Sequence, residues 1–241
     1  MNNAHREILQ VIYHKYDEWL HKEKFFCRKG CAACCTNNVM VSELEAENII
    51  DHMVNEKKSQ WFVQQLERNE GVGRVKRTTN GFARLCLGKE AAGDDEDANW
   101  NIGSCPFLHG DICEIYRVRP FSCRSFASRT DCAASGASTL PERIVTLNTV
   151  VMQLIEHLGQ GQMWGNLIDI LFVLCDDAKN SDLLNQLRKK ERVKEAKAKV
   201  LRAERIPGFL LMPGEENEVE GLLRTIYQEK IGQQSIADFL R

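Results

Sequence analysis

CRKGCAACCTNNVMVSELEAENIIDHMV, residues 27–54, joins two different kinds of sequence. Its first part packs Cys27, Cys31, Cys34 and Cys35 into one short polar stretch. Its second part is amphipathic, and Ser42 and Glu45 stand at capping-box spacing. That pattern predicts a helix from about Glu43 to Asn55. If CRKGCAACC is itself a helix or helix-like turn, its thiols fall at i, i+4, i+7 and i+8, on one face. They would then be placed to converge on a metal. Gly30 weakens a regular helix there but lets the backbone fold around an ion. A neighbouring pair such as Cys34 and Cys35 rarely aims both sulfurs at one ion. One of the two is therefore expected to serve a second metal, a cluster edge or the surroundings of the ligands.

Helical periodicity extends outward from this stretch on both sides. Ile8, Ile12, Tyr16, Trp19 and Leu20 predict a helix over residues 3–23, and SQWFVQQLER predicts another. Gly71, Gly73, Thr78, Thr79, Asn80 and Gly81 mark turns. FARLCLG, residues 82–88, reads as a short strand. AAGDDEDANWNIGS reads as an acidic solvated loop rather than a hard-metal site. In CPFLHGDICEIYRVRPFSCRSF, residues 105–126, HGD predicts a tight turn between two short extended pieces. EIYRVRP predicts one helical turn stopped by Pro120.

From Pro141 onward the pattern is strongly helical, with Pro207 and Pro213 as breaks. GQGQMWG, residues 159–165, has the wrong glycine spacing for a cofactor loop and reads as a helix–helix turn. RKKERVKEAKAKVLRAER, residues 188–205, reads as a solvent-exposed helix with charges of both signs. The expected fold is mainly α. A cysteine-rich metal-binding core with short extended segments spans residues 1–135. A helical C-terminal region spans residues 136–241.

Composition narrows the function. The 241 residues are 43% hydrophobic and 27% charged, globular values that permit a real core without disulfides. A net charge of −2 disfavours a general nucleic-acid binder. The N-terminal segment carries no secretory apolar region. LIDILFVLC, residues 167–175, is too short to span a bilayer and contains Asp169. A soluble, cytoplasmic protein is expected. In a reducing compartment, ten cysteines point to metal or redox chemistry rather than structural disulfides.

Cys105, Cys113 and Cys123 form the second thiol group. Pro106 and Pro120 fix the chain beside them, and Arg119 and Arg124 bring positive charge close to the thiolates. Thiolates suit zinc or an iron–sulfur cluster, and both centres are anionic, so charge does not choose between them. Cys175 and Cys86 read as small buried hydrophobes, while Cys132 is either free or part of the site. His109 reads as a solvated loop residue. His5, His14, His21 and His52 read as surface or packing residues on helices.

FFCRKGCAACC at 25–35 and CPFLHGDICEIYRVRPFSCRSF at 105–126 together resemble the CxxCxxCC cysteine-cluster family, described as zinc- or iron-chelating. The second stretch joins C-P-F-L, C-x-I-Y and R-P-x-x-C-R in the family's order. The resemblance covers about the first half of the chain. It implies a chelating set of Cys27, Cys31, Cys34, Cys35, Cys105, Cys113 and Cys123, with zinc or iron as cofactor. The insertion GDDEDANWNIG and the helical tail depart from the family pattern.

The family also includes larger flagellin lysine N-methylases, so an S-adenosylmethionine-dependent protein lysine methyltransferase is an alternative. An interaction module with a structural metal, using the helical C-terminal region as its partner surface, is another. Neither a membrane nor clear nucleic-acid binding is expected. Seven candidate thiols exceed the four that one tetrahedral zinc needs. The surplus fits two ions or an iron–sulfur cluster, although the spacing differs from the C-x2-C-x2-C run of bacterial ferredoxins.

Overall fold

The computed structural model describes residues 3–69, 75–88 and 102–241. The expected turns at Gly71 and Gly73, and most of the acidic stretch before Cys105, lie outside the described residues. The fold is mainly α, with 56% helix and only short strands.

Helix α1 (Asn3–Leu20) buries Ile8, Leu9, Ile12, Tyr13 and Tyr16 on one face. The chain then runs through the first cysteine stretch into β1 (Met40–Ser42) and α2 (Glu43–Asn55). The capping box forms as its spacing predicts. Ser42 Oγ accepts the Glu45 N–H at 3.3 Å, and Glu45 Oε2 accepts the Ser42 N–H at 2.9 Å. Next come α3 (Ser59–Arg68) and α4 (Thr79–Gly88).

The segment expected as a strand, residues 82–88, is therefore helical. Local capping decides it, because Thr78 Oγ1 accepts the Gly81 N–H at 2.9 Å and starts the helix. Ala83 is buried, whereas Phe82 and Leu87 are exposed.

The second cysteine region folds as expected. β2 (Leu108–His109) pairs antiparallel with β3 (Ile112–Cys113), turning at Gly110 with φ +60°. A 3-10 turn over Tyr116–Val118 and α5 (Phe121–Ser125) follow. After α6 (Cys132–Ser135) and α7 (Glu142–Leu158), β4 (Met163–Asn166) leads into α8 (Leu167–Cys175). Residues 159–165 thus hold a turn and then a strand, not a simple helix–helix turn. The strand forms because β1 and the later β5 supply partners on both of its sides.

The stretch 188–205 is divided rather than continuous. α9 (Ser181–Gln186) and α10 (Glu191–Lys199) are separate helices, and β5 (Leu201–Arg202) follows. α10 is only partly solvent-facing, since it buries Val193 and Ala196. The chain ends in α11 (Glu216–Tyr227), the hairpin of β6 (Lys230–Ile231) and β7 (Gln234–Ser235), and α12 (Ile236–Phe239).

The expectation that strand would be confined to the cysteine region fails at the central sheet, whose order is β1-β4-β5. Its antiparallel register pairs Val41 with Gly165 and Trp164 with Leu201. Two apolar clusters flank it. One gathers α2, α3 and α8 around Phe62, Phe107 and Phe172. The other gathers α1, α7 and α11 around Tyr16, Phe121 and Leu154. Both clusters therefore draw on residues from before and after position 135.

Candidate metal centre

The first cysteine stretch is not a helix. Two consecutive reverse turns shape it, with the Cys31 N–H bonded to Arg28 O and the Cys35 N–H to Ala32 O, each at 3.0 Å. Gly30 sits at φ +90°, a left-handed conformation that a side chain would strain. The four thiols thus share a region through turn geometry, not through helical periodicity.

Backbone pairing sews this stretch to the second one. Cys35 O accepts the Cys105 N–H at 3.1 Å, Thr36 bridges Ser104, and Gly103 O accepts the Asn37 N–H at 3.0 Å. The β2–β3 hairpin then sets Cys113 opposite Leu108, whose N–H bonds back to Cys105 O at 3.2 Å. Phe107 and Ile115 anchor the hairpin by full burial. The Phe107 ring stacks on Phe62 at 5.8 Å between centroids.

Cys123 comes from α5, and a buried carboxylate holds that helix in place. Glu45 Oε1 accepts the Phe121 N–H at 2.7 Å and the Tyr13 O–H at 2.6 Å. The same side chain caps α2, so three segments meet on one carboxylate. Burial and Glu45 together push the Tyr13 hydroxyl pKa well up, which keeps it a donor. The sequence reading found Glu45 only as a cap. Its wider role needs the tertiary approach of α1 and α5.

All seven sequence-predicted ligands, Cys27, Cys31, Cys34, Cys35, Cys105, Cys113 and Cys123, line one cavity of about 200 Å³. Arg28, Arg119 and Arg124 line it too, with Asp111. The two later arginines are held firmly. Arg119 stacks on Tyr116 at 4.0 Å. Arg124 stacks on Tyr13 at 4.2 Å and donates to Asp17 at 3.0 Å. Among the described residues, no three His, Cys, Asp or Glu side chains stand close enough to hold a single ion.

The thiols feel one another. Burial pushes Cys105 up to about 11, and pushes Cys123 higher, with Cys105 and Cys113 adding to the shift. Opposing contributions favour the thiolate. The Phe107 N–H points at Cys105 and the Ile115 N–H at Cys113, each two residues beyond its cysteine, and Arg119 acts in the same sense on Cys113. The Cys34 thiol donates to Cys35, which lowers Cys35 and raises Cys34. Backbone donors aimed at sulfur and nearby guanidinium groups are what a bound soft metal requires of its surroundings.

Of the other cysteines, Cys175 is buried, as expected. Cys86 is exposed on α4, against the expectation of burial, because α4 presents its buried face through Asn80, Gly81 and Ala83. Cys132 lies near enough to Cys27 to influence its charge. His109 is exposed at the hairpin tip, 3.8 Å from Glu114.

Fold and site thus define a mainly α protein built around one cysteine-lined cavity. Residues 26–139 match the model of the CxxCxxCC family, described as "Putative zinc- or iron-chelating domain". Over those residues the chain is similar to that family, and the cofactor that the family's description names is zinc or iron. No curated protein and no solved structure matches the chain. Among the described residues, no helix is long and apolar enough to cross a membrane.

Proposed function

We propose that the cavity binds iron as an iron–sulfur cluster, with ligands drawn from Cys27, Cys31, Cys34, Cys35, Cys105, Cys113 and Cys123, in a cytoplasmic protein that holds or transfers the metal. The observation that carries this reading is the gathering of seven thiols from two distant segments around one cavity of about 200 Å³. Soft sulfur donors select zinc or iron–sulfur centres over hard cations. A tetrahedral zinc with Zn–S bonds of about 2.3 Å draws its sulfurs to roughly 3.8 Å of each other. The described thiols form no such tight group. They line one cavity, and seven thiols exceed the four that one tetrahedral zinc needs. The N–H donors at Cys105 and Cys113 and the Arg119 guanidinium would offset the cluster's negative charge.

The test is anaerobic purification, with an absorption spectrum and elemental analysis on one sample. A brown protein with comparable iron and acid-labile sulfide is expected. A colourless protein with stoichiometric zinc and no sulfide would overturn the cluster and leave a zinc site.

A further inference from the structure

We infer that Arg124 is a positioning residue of the metal centre, which together with Asp17 ties α5 to α1 and so holds Cys123 at the cavity wall. The inference rests on Cys123 being one of the ligands proposed above, but not on which metal they bind.

α5 has only five residues, FSCRS, and no side chain caps its N-terminus. A helix that short has no stability of its own, so its placement is set by what it is tied to. Cys123 is its middle residue and is tied on both sides. On the N-terminal side, Glu45 Oε1 accepts the Phe121 N–H at 2.7 Å and the Tyr13 O–H at 2.6 Å. The Phe121 ring meets Tyr16 edge-on at 4.8 Å. On the C-terminal side, the tie is the Arg124 guanidinium.

Every nitrogen of that group has a partner. Nη1 donates to Asp17 Oδ2 at 3.0 Å, Nε to Arg119 O at 3.1 Å and Nη2 to Arg117 O at 3.4 Å. Its flat face covers the Tyr13 ring at 4.2 Å. Tyr13 and Asp17 are one turn apart on α1, so one helix supplies both the ring and the carboxylate. The two carbonyls belong to the chain just before α5, which also brings Arg119 to the cavity. Arg124 therefore closes the segment 117–124 on itself and fastens it to α1. Its side chain is only 10% exposed, and it lines the cavity with Cys123. A guanidinium so enclosed is costly unless paired, which gives Asp17 its part. Asp17 is 35% exposed and is not among the residues that line the cavity, so its route to the centre runs through Arg124. A lysine could supply the charge of Arg124, but neither the three-way fork nor the stacked plane. That difference separates positioning from simple charge offset.

The experiment titrates the metal-free full chain with Co2+ under anaerobic conditions and reads the sulfur-to-cobalt charge-transfer band. The band grows with the number of thiolates bound, whichever metal the protein holds natively. Cys123→Ser should lower it by one thiolate's share. Arg124→Ala and Arg124→Lys should lower it to the same level and weaken Co2+ affinity about tenfold. On the Cys123→Ser background, either change at Arg124 should add no further loss, because Arg124 acts through that thiol. Asp17→Asn keeps the loop bonds and the stack, so it serves where the Arg124 variants fold poorly. It should weaken affinity in the same direction by about threefold. Arg6→Ala is the control, since it removes ion pairs with Asp51 and Glu47. It should lower stability but leave the band and the affinity as in the parent.

A parent-like band in Arg124→Ala, or full recovery in Arg124→Lys, would overturn the positioning role. Unchanged affinity in Asp17→Asn would overturn the tie to α1. A loss in Arg6→Ala as large as in Arg124→Ala would reveal a general effect of destabilisation and overturn the inference too. If Cys123→Ser itself keeps the parent band, the ligand assignment of Cys123 fails and the inference with it. A lowered band in Cys123→Ser beside an unchanged one in Arg124→Ala leaves that assignment standing and removes the inference alone. A colourless, sulfide-free parent would end the cluster reading without touching this one.

Discussion

Glu45 shows how much one side chain can organise. Its two oxygens accept hydrogen bonds from the Ser42 backbone and hydroxyl, the Tyr13 hydroxyl and the Phe121 N–H, and the residue is buried. Removing the acceptor leaves several buried donors unpaired, each costing on the order of 1–3 kcal/mol. Glu45→Ala should therefore destabilise the protein by about 3 kcal/mol or more. It should also reduce metal content, because α5 and Cys123 lose their tether. Urea unfolding and metal analysis of the variant check both outcomes. Parent-like values in both would refute the role. Glu45→Gln keeps one acceptor oxygen but sets an amide N–H2 against donors, so an intermediate loss is expected.

At the scale of the element, α8 is apolar almost throughout, yet carries Asp169 in its first turn. Burial pushes the Asp169 carboxyl up to about 6, against the opposing pull of Lys199 and Arg192. The folded state then keeps this proton at pH values where the unfolded chain, with a carboxyl near 3.9, has lost it. Between about pH 4 and pH 6 the folded state binds more protons, so stability falls as pH rises through that window. It stays lower above the window, since the buried charge remains. Asp169→Asn should raise stability by about 2 kcal/mol at pH 7.5, with a smaller gain at pH 4.5. Urea midpoints of parent and variant at equal metal content, taken at both pH values, test the sign. A gain that grows toward low pH would refute it.

At the scale of the whole molecule, the two regions read from sequence, 1–135 and 136–241, share their structural supports. β1 pairs with β4, α2 packs on α8, and α1 packs on α7 and α11. Asn166 at the end of β4 reaches across to Asn37 O at 2.8 Å, next to the cysteine turns. A fragment of residues 1–135 would expose one side of both apolar clusters. It is expected to lack cooperative unfolding and to bind metal less tightly than the full chain, as circular dichroism and metal titration would show. A fragment with full-chain stability and metal content would demonstrate an independent cysteine domain.

The sequence by itself determined the local pieces. The α2 capping box, the HGD hairpin, the one-turn helix before Pro120 and most long helices follow from short-range rules of capping, turn chemistry and periodicity. The seven candidate cysteines stood out because two short stretches hold them at close spacing. Tertiary structure alone decided what depends on distant partners. Residues 163–166 became a strand because β1 and β5 lie on either side of it, and residues 201–202 because β4 offered them an edge. Phe26 came beside Ser128, whose carbonyl accepts its N–H, and Glu45 became a junction only when α1 and α5 reached it. These outcomes escape a local reading because each is set by hydrogen bonds and burial between residues far apart in the chain. Sequence spacing constrains near neighbours, and the fold chooses the distant ones.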